Sequence, residues 1–188
     1  MDNREFQTDR LIIHPLHKSD LNLVIQMNTD PVVMKYLEPV QTVDEVIKDM
    51  PRLLELGSGA PFKGGIWVMT EKASNISFGT LFLVDMPISG PEIVPVKYTG
   101  DMQIGYRSIP SHWGQGYTTE GAKALIDLTF ANSDLDKLVA CTDDGNEASQ
   151  NVLRKIGLSY MDSRWVYGGK SPYFEITRSD WLREKENK

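Results

Sequence analysis

A chain of 188 residues and 21.2 kDa is long enough to bury one substantial core. Its single cysteine, Cys141, excludes an internal disulfide framework, and one Cys with three scattered His residues (His14, His17, His112) offers no recurring zinc-ligand spacing, so no metal site is expected. A net charge of -6 argues against a nucleic-acid backbone as partner and is compatible with a basic substrate.

The start, MDNREFQTDR, is polar, and the longest apolar runs are strand-sized, so a cytoplasmic protein with no membrane span is expected. TDRLIIHP reads as a strand ended by Pro15, after which Ser19 or Asp20 can cap a helix carrying Leu21, Leu23, Val24 and Met27. Thr42 and Glu45 have capping-box spacing before an apolar stripe of Val43, Val46, Ile47, Met50, Leu53 and Leu54. Pro51 is discordant in that helix, and GSG at Gly57 to Gly59 marks its end.

GGIWVMT and FGTLFLVDM read as two strands of a hairpin joined by EKASNIS. PISGPEIVPVKYTG, from Pro87 to Gly100, reads as a long loop or lid before a strand at Asp101 to Arg107, either functional or mere decoration. Beyond the stretch GYRSIPSHWGQGYTTEG, the residues Ala122, Leu125, Ile126 and Thr129 fall on one helical face. DKLVAC is then a short strand, and Asn146 caps EASQNVLRKIG, with Gly157 ending the helix. Strands around Ser159 to Tyr167 and Tyr173 to Thr177 close the chain. This order predicts an α/β fold, α+β in some schemes, as a single domain over 1–188 with its core at about 8–180.

A strand ending at Arg107, a glycine-rich turn and a helix starting near Thr118 leave main-chain N–H groups unpaired at the helix start. Those donors suit a phosphate or pyrophosphate, with Gly114 and Gly116 allowing close approach, although a tight structural turn accounts for the glycines equally. Neither a Walker loop nor a complete GxGxxG is present.

SIPSHWGQGYTTEGAKAL and, one strand later, NEASQNVLRKIGL closely resemble the paired cofactor-binding motifs of the GNAT acyltransferase superfamily. The likeness is greatest to the branch of bacterial enzymes that acetylate the N-terminal amines of ribosomal proteins. TDRLIIHPLHKSDL, GGIWVMT, IGYRSIP and DLDKLVACTDDGNEAS follow in the family's order. The resemblance implies a mixed β-sheet splayed at its centre, helices on both faces, and acetyl-CoA lying in the split as acyl donor. The family loop carries Gln or Arg, two variable residues, Gly, a variable residue and Gly or Ala. Trp113, Gly116 and Thr118 hold those positions here, and Thr118 brings bulk to the cradle. Implied cofactor contacts are the main chain of Ile104, Gly105 and Tyr106, the turn Trp113, Gly114, Gln115, Gly116, Tyr117 and Thr118, and then Asn146 and Ser149. Asn146 also reads as a plain cap, and Tyr106 and Tyr117 as core aromatics.

Acetyl transfer to an amine needs a neutral nucleophile, a donor for the developing oxyanion and a proton for the leaving sulfur. Where many relatives place an acidic Tyr this chain has Leu153, while the resembling branch has a Ser matching Ser149, the expected acid or sulfur contact; a helix Ser bonded to its own backbone is the alternative. That branch takes its base from a Glu at the strand DMQIGY, where Gln103 cannot accept a proton and Asp101 can; a held water is the other option.

The expected acceptor is a primary amine, foremost a ribosomal or other protein N-terminus. An aminoglycoside or polyamine, or a non-catalytic acetyl-CoA-sensing or protein-binding module, are the alternatives. The segment Asp20 to Leu56 and the loop Pro87 to Gly100 are expected to shape the acceptor entrance. Asp30, Glu38, Asp44, Glu45, Asp49, Glu55, Asp85 and Glu92 there either steer a cation or form a solvated face. A monomer and a homodimer fit the sequence equally.

Overall fold

The structure is a computed structural model that describes residues 4–37, 39–56, 62, 64–88 and 97–186. Strands β1 (Phe6–Gln7) and β2 (Leu11–Pro15) open the chain, and β2 alternates as a half-covered strand must, with Leu11 and Ile13 fully buried. A 3-10 turn over Lys18–Asp20 leads into α1 (Leu21–Thr29), which buries Leu23, Val24 and Met27. Asp20 does not cap α1 through its side chain; its carboxylate instead accepts the His17 N–H at 2.8 Å. The short α2 (Pro31–Met34) follows, its first turn held by the Asp30 carboxylate on Val32 N–H at 2.8 Å.

Helix α3 (Val43–Leu56) starts at the expected capping box: Glu45 accepts the Thr42 N–H at 2.7 Å and Thr42 accepts the Glu45 N–H at 3.3 Å. Of its apolar stripe, Val46 and Met50 are buried, whereas Val43 and Ile47 are exposed. Pro51 stays inside the helix, because the carbonyl its missing N–H would bond belongs to exposed Ile47 and can be hydrated. The GSG helix end lies outside the described residues.

Strands β3 (Gly65–Glu71), β4 (Ile76–Ile88) and β5 (Lys97–Ser108) form an antiparallel meander. Here the expected loop from Pro87 to Gly100 is corrected. Pro87 pairs with Tyr98 and Ile88 with Lys97 beyond an irregularity at Asp85/Pro87, so the hairpin reaches well past Asp101. The register shift absorbs the proline, which cannot donate to a regular ladder. Residues 89–96 lie outside the described set.

After β5 come α4 (Tyr117–Asn132), β6 (Lys137–Cys141), α5 (Glu147–Lys155), β7 (Ser159–Val166), β8 (Gly169–Thr177) and α6 (Arg178–Glu186). Among the described residues the eight strands form one sheet in the order β1-β2-β3-β4-β5-β6-β8-β7, with β5 and β6 its parallel pair. Consecutive residues Tyr106 and Arg107 point to opposite faces: Tyr106 reaches Ser149 of α5, and Arg107 reaches Asn28 of α1 at 2.6 Å. Helices therefore cover both faces, as expected.

Helix α4 is anchored at both ends. Gly121 lets it approach the sheet, since a Cβ there would meet Met69 Sδ at 3.0 Å and Leu11 at 3.3 Å. At its far end the Arg178 guanidinium donates to the carbonyls of Phe130, Ser133 and Leu135 at 2.7, 2.5 and 3.0 Å, satisfying groups that a helix terminus leaves open. Among the described residues no helix is long and apolar enough to cross a membrane.

Candidate functional site

The site begins where the sheet comes apart. Among the described residues, the β5–β6 ladder holds only Met102 with Leu138 and Gln103 with Val139; beyond those rungs Ile104 to Ser108 and Ala140 to Cys141 diverge. Each strand keeps its outer partner, β4 and β8 respectively, so the parting leaves inner ladder groups of both arms to be satisfied by something else. An extended chain bearing amides fits such a slot.

Each face of this fork carries a polar link. On one, the Tyr106 hydroxyl donates to the Ser149 carbonyl at 2.8 Å and lies 3.2 Å from Ser149 Oγ, joining β5 to the first turn of α5. Burial pushes the Tyr106 phenol well above the ordinary tyrosine range, outweighing the opposing effect of the Ser149 bond. On the other face, Gln103 Nε2 donates to Cys141 Sγ at 3.7 Å, and the Tyr167 hydroxyl donates to Gln103 Oε1 at 2.6 Å. Burial pushes the Cys141 thiol up to about 12. Phe82 lies over Gly105 on this second face: a Cβ at residue 105 would fall 1.9 Å from the Phe82 ring, which is why the strand needs glycine there.

The open end of the fork meets the glycine turn. Gly114 has φ +73 and Gly116, the N-cap of α4, has φ +80, so both glycines are required by backbone conformation. Among the described residues, no backbone acceptor meets the N–H groups from Gly114 to Thr119, and inward helix bonding starts with Glu120 N–H on Gly116 O at 3.0 Å. The Cβ direction of Gly114 is open, and that of Gly116 meets only Arg10 Nη2 at 3.5 Å. Unpaired amides at a helix N-terminus, an unobstructed approach and an adjoining slot between strands are what a pyrophosphate with an amide-bearing arm requires. The residues present therefore fit the group that the motifs imply.

Structure reassigns some side chains within this turn. The Tyr117 ring is buried against Phe78, and its hydroxyl donates to Glu71, so Tyr117 can offer a ligand only its main chain; its apolar ring is worth more in the core. Trp113 folds its indole back to donate to the Ser108 carbonyl at 2.8 Å, and Gln115 Nε2 donates to Ser111 O at 3.0 Å. Thr118 is half-buried on the first turn of α4. Ile104 is buried, leaving its main chain for the slot, together with that of Gly105 and Tyr106. Asn146 caps α5 by accepting the Ser149 N–H at 3.1 Å, which sets Ser149 beside the fork.

Asp101 is less well placed. It precedes the last rungs, at the closed end, 3.3 Å from Lys137 Nζ and 3.5 Å from the Tyr173 hydroxyl. Burial alone would lower Lys137, but Glu175, Tyr173 and Asp101 hold it above its ordinary value, so the ammonium beside Asp101 is firmly charged. Asp30, Glu45 and Asp49 serve local partners, namely Val32 N–H, the Thr42 cap and Arg52. Glu38 and Glu92 lie outside the described residues.

Three residues here were not legible as site candidates. Arg10 donates to the Gln115 carbonyl at 2.9 Å and pairs with Glu120 at 2.6 Å, bracing the turn from a distant strand. Tyr167 and Cys141 both meet Gln103 beside the fork, and the sequence pattern around them shows no spacing signal. Away from the fork, His14, His17 and Asp20 bring one ligand atom each within 4.8 Å of one another, a proximity their apparent scatter conceals.

The family profile described as Acetyltransferase (GNAT) domain matches residues 10–159. FsC-acetyl coenzyme A-N(2)-transacetylase of Aspergillus fumigatus is 28% identical over 187 residues, covering 94% of this chain and 77% of the relative. The crystal structure of ribosomal-protein-S5-alanine acetyltransferase from Vibrio fischeri superposes with a TM-score of 0.70 at 17% identity, covering 94% of this chain and 98% of its own. Spermidine N-acetyltransferase from Vibrio cholerae, solved with CoA and spermine, gives 0.71 at 16% identity over 93% and 99%.

Proposed function

Because the chain belongs to the GNAT acetyltransferase family, with the profile spanning residues 10–159, we propose that it transfers an acetyl group from acetyl-CoA to the α-amine of a protein or peptide N-terminus. In this reading the pyrophosphate of the donor rests on the amides of Gly114 to Thr118, and its amide-bearing arm runs between β5 and β6. The thioester then lies between the main chain of Ile104 to Tyr106 and Ser149. A main-chain N–H of that strand stabilises the oxyanion, the amine nitrogen forms its bond to the carbonyl carbon, and the carbon–sulfur bond breaks. Ser149 gives the leaving thiolate its proton and regains one from the proton that the attacking nitrogen releases, with the Tyr106 oxygen 3.2 Å behind it.

The choice of amine rests on the carboxylate pattern at the fork. The side chain bordering it from β5 is the amide Gln103, and the neighbouring carboxylate, Asp101, is tied to Lys137. A site so arranged favours an amine that loses its proton to water unaided. An N-terminal ammonium, with pKa near ~8, is roughly a quarter neutral at pH ~7.5, whereas an alkylammonium near ~10.4 is neutral at about one part in a thousand. That factor of a few hundred favours the α-amine over polyamine or lysine nitrogens.

Thiol release from acetyl-CoA, measured with a panel of N-terminal peptides, spermidine and an aminoglycoside, tests the reading. Peptides should show the highest kcat/KM, rising with pH through a half-maximum near ~8. A higher value for spermidine or the aminoglycoside would replace the peptide with a small amine. Acetyl-CoA binding without turnover on any acceptor would point to a sensing module.

A further inference from the structure

Between β2 and α1 the chain reads HPLHKSD, and it turns so that His14, His17 and Asp20 converge. The main chain there is fixed at both ends. Leu16 N–H donates to the Ile66 carbonyl at 2.8 Å, which carries the β2 pairing with β3 one step further. His17 and Asp20 clamp each other: the Asp20 carboxylate accepts the His17 N–H at 2.8 Å, and the His17 carbonyl accepts the Asp20 N–H at 3.0 Å. The two imidazoles stack, with ring centroids 5.4 Å apart and planes 28° from parallel. Asp20 Oδ2 lies 3.9 Å from His14 Nδ1, and one ligand atom from each of the three residues falls within 4.8 Å of the others.

The charge pattern says what this cluster calls for. The Asp20 side chain is only 11% exposed, yet among the described residues no lysine or arginine pairs with it. A covered carboxylate needs a cation close by, and neutral imidazoles beside it offer lone pairs instead of charge. Two imidazole nitrogens with one carboxylate oxygen are a donor set for zinc and its first-row neighbours, whereas magnesium and calcium take oxygen alone. Ligating histidines commonly bond their other ring nitrogen to a main-chain carbonyl, and the Pro15 carbonyl stands 2.9 Å from His14 Nδ1. Ligand atoms on a tetrahedral ion with bonds of about 2.0–2.2 Å stand roughly 3.3–3.6 Å apart, so the cluster has at most about 1.5 Å to close. Rotation of the exposed His17 side chain supplies that movement while the clamped main chain stays in place.

We infer that His14, His17 and Asp20 bind a divalent transition-metal ion of the zinc class, with water completing its coordination. The ion supplies the positive charge that Asp20 lacks and fastens the end of β2 to the turn that starts α1. It is a staple and not a catalyst. Its ligands lie away from the fork, and the acetyl-transfer reading neither needs the ion nor supports it.

The test uses the full chain, free of any affinity tag and stripped of metal. Calorimetric titration with zinc chloride should show one ion per chain with a Kd on the order of micromolar. Cobalt(II) should develop the visible d–d absorption of an imidazole-bound ion, and magnesium should give no measurable binding. At a hundredfold excess over Kd, zinc should raise the melting temperature by about 5 °C or more. His17→Ala removes one ligand from the surface, and Asp20→Asn removes the charge while keeping an acceptor for the His17 N–H. Each should weaken zinc about tenfold or more and suppress most of the thermal shift, with acetyl-CoA affinity within twofold of wild type. Without metal, His17→Ala should melt near wild type, which separates loss of the ion from loss of the fold. A wild-type chain that binds no zinc overturns the inference. So does unchanged zinc affinity in either variant, which would place the ion elsewhere, for instance beside His112 and Glu71. Magnesium binding as tight as zinc overturns it too, since the imidazoles would then contribute nothing. Zinc binding that depends on His17 and Asp20 in a protein without acetyl transfer supports the inference and defeats the proposed catalysis instead.

Discussion

The Tyr106 hydroxyl donates to the Ser149 carbonyl at 2.8 Å and stands 3.2 Å from its side-chain oxygen, linking the inner arm of the fork to the helix on its other side. The Ser149 hydroxyl, the expected contact of the leaving sulfur, thereby sits beside a phenol that itself resists ionisation. Replacing Ser149 with Ala should lower kcat about a hundredfold, the range of a lost acid catalyst, with acetyl-CoA affinity nearly constant. Steady-state kinetics at saturating amine checks it; an unchanged kcat would make Ser149 a mere helix residue.

Tyr106 also predicts a dependence on pH. Its phenol is raised by burial, so between the ordinary value near ~10 and its native value the folded protein binds a proton that the unfolded chain has lost. That contribution is complete below ~10 and disappears as the pH climbs toward the native value. Urea midpoints measured from pH ~9 to ~11 should therefore fall less steeply for Tyr106→Phe than for wild type. Parallel slopes would show that Tyr106 carries no such linkage.

Gly116→Val places a β-branched residue at φ +80 and adds bulk where the helix amides are open. Strain of about 1–3 kcal/mol should appear in thermal melting, and acetyl-CoA affinity should fall about tenfold or more. Calorimetry with circular dichroism separates the two effects. Native affinity in a folded variant would leave Gly116 a turn residue without a role in binding.

Gly105→Ala sets a methyl group 1.9 Å from the Phe82 ring, so ring or strand must move. Overpacking of this kind costs about 1–3 kcal/mol and should lower the melting temperature by several degrees. Trimming the ring in Phe82→Leu should restore most of that loss in the double variant. Additive losses in the double-mutant cycle would mean that the glycine serves something other than Phe82.

Cys141 should be inert. With its thiol pushed up to about 12 by burial, its thiolate fraction at pH ~8 is about a thousandfold below that of a free cysteine near ~8.5. Alkylation by iodoacetamide should be correspondingly slow in the native protein and recover in urea. Fast native labelling would show that the Gln103–Cys141 link opens readily.

What the amino-acid sequence made legible was local. The Thr42–Glu45 box, the Asn146 cap and the glycine turn each act within a few residues, and all form as expected. Tyr117 was ambiguous because an aromatic after a glycine turn can face a ligand or the core, and only Phe78 and Glu71, from other strands, decide it. The segment after Asp85 looked like a loop since its prolines oppose a ladder, yet a register shift accommodates Pro87. Asp101 was assigned by its proximity in sequence to the fork, and its ion pair with Lys137 depends on a parallel partner strand. Tyr167 carried no signal at all, because its partner lies 64 residues away.

Arg178 gives the molecule a timetable. The guanidinium that closes the far end of α4 comes from the residue directly after β8, and β6 gains its outer neighbour only from β8. During synthesis, the glycine turn and both arms of the fork leave the ribosome some three dozen residues before the segment that secures them. The nascent chain thus carries its acetyl-CoA motifs for seconds before it can hold them in place, at elongation rates of about 5–20 residues per second. Competence to bind the donor thus waits on β8 and Arg178 rather than on the motifs themselves.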